Sequence, residues 1–139
     1  MFILGLVFLK KEKMEKLIVK PSRTNPYICF DPVNKVYEIS GNSFPENPQL
    51  VFEPIFNWLN SNIQKIEHRI ELNLMAIYFN SASNRLLLKL FRFLEEQAQA
   101  GKDIEVVWNY MDEEIQNDGI LFSRILKLPF RMVPVTSID

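Results

Sequence analysis

The sequence predicts a single α/β domain with a mixed β-sheet and about three helices. Three short β-rich runs occupy the chain before residue 48. After residue 48, amphipathic helical segments alternate with strand-like segments, a pattern that favours parallel neighbouring strands with helices packed on the sheet. The chain has 139 residues, which suits one domain of this kind. The predicted order of elements is β-β-β-α-β-α-β-α-β.

The first three predicted strands form an antiparallel set. Residues 16–20 and residues 27–31 are short β-rich runs, and the proline and asparagine residues between them are typical of a loop. A turn over residues 31–35, DPVNK, leads to residues 36–41, which alternate as a strand does. We therefore expect these three segments to form an antiparallel set at the N-terminal end of the domain.

The first helix is predicted after a loop over residues 41–48, GNSFPENP. Proline has no N–H to donate, so Pro54 is expected in the first turn and the helix start near residues 50–51. Asn47 or a neighbouring residue is expected to cap it. One face of this helix carries apolar residues at helical spacing: Phe52, Ile55, Phe56, Leu59, Ile63 and Ile66.

A long central strand and a second helix follow. Residues 69–79, RIELNLMAIYF, are apolar on both faces towards their end, which indicates a central strand. After the polar residues 80–84, a helical stripe runs towards Gly101, a residue that favours the end of a helix. The stripe consists of Leu87, Leu90, Phe91, Leu94 and Ala98.

The last predicted unit is strand, helix and strand. Residues 104–110 alternate as a strand, and Asp112, Glu113 and Glu114 stand where a helix dipole favours acids. Asp118 is explained in the same way, and we prefer this explanation of the four acids to a metal site. Gly119 is expected to weaken the helix, whose buried face is Ile115, Phe122, Ile125 and Leu126. Pro129 ends the helix, and residues 130–135 make the last strand.

Composition excludes several classes of function. The net charge of −1 and the pI near 5.9 argue against a protein that binds nucleic acid through its phosphates. The single cysteine, Cys29, cannot form a disulfide within the chain; we expect a small buried hydrophobic residue in a reducing, cytoplasmic compartment. One cysteine and one histidine, His68, cannot make a Cys/His zinc site. The four glycines show no nucleotide-binding pattern, so no cofactor is expected.

The first thirteen residues differ from the rest of the chain. Residues 1–9, MFILGLVFL, are apolar and lysines follow them. A membrane-spanning helix needs about 20 apolar residues, and a secretory signal carries its positive charge before the apolar run. We interpret residues 1–13 as a non-native or disordered extension before a domain over residues 14–139, and we expect no membrane partner. A membrane-surface anchor is the alternative.

Few side chains are suited to catalysis. Ser81 or Ser83 with His68 as base would make a hydrolase, but the G-x-S-x-G turn of such enzymes is absent from the sequence. We therefore expect no catalytic residue. The hydrolase alternative requires Ser81 and His68 within hydrogen-bond reach of each other.

The most informative segment is residues 78–85, YFNSASNR, where the predicted central strand meets a helix. Ser81 or Ser83 can cap that helix, which contributes about 1 kcal/mol. The position also suits a phosphorylation switch, because the free N–H groups and the dipole of a helix N-terminus favour an anion. Arg85 can donate a charge-assisted hydrogen bond to a phosphate there. Capping and phosphorylation are compatible.

Two motifs resemble signatures of the SiaC-type regulatory phosphoproteins. Residues 38–47, EISGNSFPEN, resemble the family's I-x-G-x-S-Y/F-P-E-N motif, and residues 78–83, YFNSAS, resemble its Y-F/L-N-T/S-S-S motif. Residues 108–110, WNY, and residues 127–130, KLPF, are similar to further segments of the family. The resemblance covers about residues 14–135, with matching order and spacing.

The resemblance implies a STAS-like domain, similar to the anti-sigma-factor antagonists, with no catalysis of its own. It implies that a protein kinase and a PP2C-like phosphatase act on the hydroxyl residue after the junction asparagine, which is Ser81 here, with Ser83 as the second choice. In the best-known branch, the unphosphorylated protein activates a diguanylate cyclase, which raises cyclic di-GMP and favours biofilm formation. The chain departs from the family at Ser81, where threonine is common, at Ala82, where serine is common, and at Phe44, where tyrosine is commoner.

We therefore expect a cytoplasmic, non-enzymatic signalling adaptor. Its partner surface is expected to combine the loop of the first motif with the start of the second helix. The expected partner-binding residues are Gly41, Ser43, Phe44, Pro45, Glu46, Asn47, Asn80 and Arg85. The alternative is an interaction module of the same fold that works without phosphorylation.

Overall fold

A six-stranded sheet carries three helices in the computed structural model, which describes residues 14–136. The strands are β1 (Leu17–Val19), β2 (Tyr27–Asp31), β3 (Val36–Ser43), β4 (Ile70–Phe79), β5 (Ile104–Tyr110) and β6 (Phe130–Pro134). The helices are α1 (Pro48–Asn62), which a 3-10 turn over Ile63–Lys65 follows, α2 (Ser81–Gln99) and α3 (Glu113–Ile125). The predicted order of elements is confirmed. The expectation for residues 1–13 lies outside the described residues.

The sheet is mixed, and its strands lie side by side in chain order. β1, β2 and β3 are antiparallel neighbours, whereas β3, β4, β5 and β6 are parallel neighbours. Crossovers between parallel strands are right-handed, so a series of crossovers that all proceed in one direction places all three helices on one face. In β4, Leu72 and Leu74 are buried while Glu71 and Ile77 on the other face are exposed. β4 is the predicted central strand, but the helices within residues 14–136 cover only one of its faces.

The hydrophobic core lies between the sheet and the helices. Trp58 and Trp108, both predicted as core residues, belong to it and are 8% and 1% exposed. Phe91 of α2 meets Phe122 of α3 edge-on, with 5.2 Å between the ring centroids. Such edge-to-face pairs add about 0.5–1.5 kcal/mol beyond the area they bury. Cys29 is also buried, as predicted, but lies outside this cluster.

Two predicted boundaries are wrong. β3 continues to Ser43 instead of ending at Gly41, because Gly41 adopts a φ of +101° and a register shift lets the strand keep pairing with β4. α1 begins at Pro48, which needs no hydrogen bond at a first helical position. Pro54 therefore lies in the second turn and deprives the Leu50 carbonyl of its usual intrahelical partner.

Gly119 has a packing role in the middle of α3. It lies against the indole ring of Trp108, whose Nε1 donates to the Ile115 carbonyl at 2.8 Å. A Cβ at Gly119 would overlap that ring, 2.5 Å from Nε1 and 2.7 Å from Cγ. The glycine that we expected to weaken the helix is therefore the residue that allows α3 to pack directly against Trp108.

We expect Gly119→Ala to lower the free energy of unfolding by about 1–3 kcal/mol, because overpacking outweighs the gain in helix propensity of about 1 kcal/mol. Urea denaturation followed by tryptophan fluorescence measures the change. Asn117→Ala, at an exposed position of the same helix, is the control and should stay within about 0.5 kcal/mol of the parent. An unchanged or raised stability of Gly119→Ala would contradict the contact.

Candidate functional site

The end of β3 is tied to the junction between β4 and α2. The last pair of these two parallel strands joins Ser43 and Phe79. The backbone N–H of Asn80 then donates to the Ser43 carbonyl at 3.0 Å. The motifs over residues 38–47 and residues 78–83 therefore meet at the carboxyl ends of the parallel strands β3 and β4.

Asn80 caps α2. Its backbone is extended, and its side-chain oxygen accepts from the backbone N–H of Ser83 at 2.9 Å. The predicted cap at Ser81 or Ser83 is therefore wrong, because asparagine caps a helix as well as serine does and stands at the position where the backbone is still extended. Ser81 becomes the first residue of α2 and is exposed.

Two serines that are far apart in the chain form a buried pair. The Ser83 hydroxyl donates to the Ser43 carbonyl at 3.0 Å, and the two hydroxyl oxygens are 2.7 Å apart. Since the Ser83 proton is committed to the carbonyl, the Ser43 hydroxyl donates to Ser83 Oγ. Both residues are 0% exposed. The folded chain therefore shields Ser83 from modifying enzymes, and Ser43 does not present its side chain on the expected partner surface.

Ser81 instead lines a surface cleft between α2 and α3. The cleft has a volume of ≈ 250 Å³. Its lining residues are Ser81, Asn84, Arg85, Leu88, Asp118, Leu121 and Phe122. Arg85 is exposed and shares the cleft with Ser81, which is the arrangement that a bond between Arg85 and a phosphate on Ser81 requires.

The interpretation of Asp118 as an acid at a helix start is wrong. Asp118 lies in the second turn of α3, and Asp112 is the residue that caps this helix. Burial raises the pKa of Asp118, the hydrogen bond from Asn84 opposes that shift, and the negative charges of Glu114 and Asp112 raise the pKa further. Asp118 is thus a half-buried carboxyl that shares a cleft with Ser81, a placement that no sequence motif indicated.

The loop after β3 lies beside Tyr78. The ring centroids of Phe44 and Tyr78 are 5.8 Å apart, and the guanidinium of Arg23 lies 5.9 Å from the Phe44 centroid. The backbone N–H of Phe44 donates to the Thr24 carbonyl at 2.9 Å. Tyr78 is 50% exposed, so the aromatic pair borders solvent. Arg23 was not predicted as a site residue, because its contact depends on the loop between β1 and β2, where the sequence shows no motif.

The rest of this loop borders a second cleft. Pro45, Glu46 and Asn47 line a space of ≈ 400 Å³ together with residues of the β1–β2 loop and of α1. Asn47 occupies the N-cap position of α1, as predicted, but its side chain makes no capping hydrogen bond. Gly41, at the register shift, is half-buried. The loop therefore presents Pro45, Glu46 and Asn47 near the surface, while Gly41 shapes the strand behind them.

His68 is remote from Ser81. It precedes β4 and Ser81 follows β4, so the ten residues of the strand separate them by about 30 Å at about 3.3 Å per residue. The His68 Nε2 pairs instead with the Tyr37 hydroxyl at 2.8 Å. Burial raises the pKa of Tyr37 to about 12, and burial together with the charge of Lys35 lowers the pKa of His68. The geometry contradicts the hydrolase alternative.

Two absences within residues 14–136 bear on other functions. No group of three or more His, Cys, Asp and Glu side chains in this part of the chain is placed to hold a metal ion. No helix within the same residues combines the length and the apolar character needed to cross a membrane.

Comparisons with known proteins agree with the two motifs. A model of the SiaC family regulatory phosphoproteins matches residues 19–135. An uncharacterized protein of Pseudomonas aeruginosa strain UCBPP-PA14 is 26% identical over 97 residues, which are 70% of this chain and 77% of that protein.

Solved structures show the same fold. SiaC of Pseudomonas aeruginosa matches with a TM-score of 0.80 at 24% identity, over 88% of this chain and 100% of that one. The crystal structure of the diguanylate cyclase SiaD in complex with its activator SiaC, from the same organism, matches with a TM-score of 0.80 at 23% identity, over 86% of this chain and 99% of that one. The family model spans most of the sequence, and the chain therefore belongs to the SiaC family of regulatory phosphoproteins.

Proposed function

We propose that this chain is a non-enzymatic, cytoplasmic adaptor that regulates a diguanylate cyclase and is switched by phosphorylation of Ser81. Membership of the SiaC family supports a regulatory role. The structural relative SiaC is the activator of the cyclase SiaD, which supports a cyclase as the partner class. We place the regulatory domain at residues 14–139, a span that includes the residues matched by the family model.

The observation that carries the proposal is the opposite placement of the two candidate serines. Ser81 is exposed at the first position of α2, whereas Ser83 is 0% exposed and hydrogen-bonded to Ser43. A kinase must bring the acceptor hydroxyl to its own active site. Ser81 meets that requirement without any unfolding, and Ser83 does not.

The site suits a phosphate on chemical grounds. A kinase would transfer the γ-phosphoryl group of ATP to Ser81 Oγ, with loss of the hydroxyl proton and release of ADP. The product carries about −1.5 to −2 charges at neutral pH. The N-terminal N–H groups of α2 and the Arg85 guanidinium favour an anion at this place. A PP2C-like phosphatase would reverse the change by hydrolysis, which releases inorganic phosphate and restores the hydroxyl.

The partner surface that we propose surrounds Ser81. It combines Phe44, Pro45, Glu46 and Asn47 of the loop with Asn80 and Arg85 at the start of α2. Tyr78, which packs against Phe44 and is half exposed, extends this surface. Ser43 is left out because it is buried, and Gly41 contributes through its backbone conformation.

We expect Ser81→Glu and Ser81→Ala to differ in affinity for the cognate diguanylate cyclase by about tenfold or more, because only the glutamate adds charge at the centre of the surface. Isothermal titration calorimetry with the purified cyclase measures the difference. Ser61→Glu adds the same charge at an exposed position of α1 and should bind as the parent does.

Two results would separate the alternatives. Equal binding by Ser81→Ala and Ser81→Glu favours the interaction module that works without phosphorylation. Phosphate found only at other residues, by mass spectrometry of protein isolated from its native cell, would refute Ser81 as the switch.

The two serines should also differ in their effect on stability. We expect Ser83→Ala to lower the free energy of unfolding by about 1–3 kcal/mol, because it leaves the buried Ser43 hydroxyl without an acceptor. Ser81→Ala is the matched control and should stay within about 0.5 kcal/mol of the parent. Urea denaturation measures both. Equal effects of the two substitutions would contradict the separation into a structural serine and a free one.

A further inference from the structure

One polar contact crosses the cleft between α2 and α3. Asn84 Nδ2 of α2 donates to Asp118 Oδ2 of α3 at 3.5 Å, the long limit of a hydrogen bond. Asn84 stands three residues after Ser81, so both lie on the same side of α2. Ser81, Asn84 and Asp118 accordingly line the same cleft. A change at Ser81 therefore occurs beside a weak tie between the two helices.

The two sides of the cleft around the Asn84–Asp118 hydrogen bond carry opposite charges. Arg85 on α2 is the positive group that lines the cleft, and Asp118 on α3 is the negative one. Glu114 and Asp112 add negative charge close enough to raise the pKa of Asp118. The α3 side of the cleft is therefore already unfavourable for a further anion.

We propose that Asp118 transmits the phosphorylation state of Ser81 from α2 to α3. A phosphate on Ser81 is attracted by Arg85 and by the start of α2, which hold it in the cleft, where it repels the Asp118 carboxylate. Like charges in a partly buried site disfavour each other strongly. The carboxylate must then take up a proton or move away, and either response weakens its bond with Asn84.

The consequence is a change on a second surface. Leu121 is 58% exposed, and Ile125 is 44% exposed, so the prediction that Ile125 lies on the buried face of α3 is wrong. The two residues stand four positions apart on α3, one helical turn from each other. Leu121 also lines the cleft. Movement of Asp118 shifts this pair relative to α2, so a partner that touches α3 would sense a phosphate with which it makes no contact.

This inference rests on the proposed function, because it concerns the same serine, but its test does not require a cell that modifies Ser81. Phosphoserine is installed at position 81 of the full chain during translation with a dedicated suppressor tRNA. The pKa of Asp118 is then measured by carbon-13 NMR of its carboxyl group, and amide hydrogen exchange is measured along α3.

We expect phosphoserine to raise the pKa of Asp118 by about one unit or more. Exchange of the α3 amides should become about threefold to tenfold faster, because α3 loses its hydrogen bond with Asn84 of α2. Asp118→Asn removes the repelled charge and should abolish the difference in exchange between the phosphorylated and the unmodified protein.

Glu113→Gln is the matched control. It removes one negative charge from the first turn of α3, but Glu113 is not among the charges that raise the Asp118 pKa, so the response to phosphoserine should persist. The proposal is overturned if phosphoserine leaves the Asp118 pKa and the α3 exchange unchanged, or if Glu113→Gln abolishes the response as fully as Asp118→Asn does. Absence of phosphate on Ser81 in the cell would refute the proposed function and leave this coupling intact.

Discussion

The candidate site depends on the buried hydrogen bonds between Ser43 and Ser83. These bonds, together with the Asn80 cap, fix the start of α2 against the end of β3. An unpaired buried hydroxyl costs about 1–3 kcal/mol, so the pair strongly favours one rotation of α2 about its axis. Side chains two positions apart in an α-helix differ by about 200° in direction. Because Ser83 points inward, Ser81 must point outward, and the surface serine is a consequence of the buried one.

A second constraint is the order of the strands. Because β3 to β6 follow one another across the sheet, α1, α2 and α3 lie on one face and start at one edge. The carboxyl ends of parallel strands are where open α/β sheets place their binding sites. The loop after β3, the start of α2 and the cap of α3 all lie at this edge. The face that the three described helices leave open carries ion pairs of Arg131 with Glu71 and Glu105.

Sequence patterns predicted the elements better than their ends. The period of apolar residues reports burial, so it located α1, α2, α3 and the central strand β4. The ends depend on contacts with distant segments. β3 reaches Ser43 because β4 continues to offer partners there. Ile77 is apolar, yet none of the helices within residues 14–136 covers it, and its apolar character did not reveal this exposure. The cap at Asn80 was missed because three neighbouring residues are all good caps, and only backbone geometry separates them.

The sequence by itself determined the fold class, the family and the segment that carries the candidate switch, because these follow from local periodicity and from two contiguous motifs. Only the tertiary structure decided which serine is exposed, that Asp118 shares its cleft and that His68 lies at the far end of β4. These facts depend on residues that are distant in the chain and adjacent in space. Packing of α2 and α3 on one face of the sheet creates that adjacency, and no local pattern of residues encodes it.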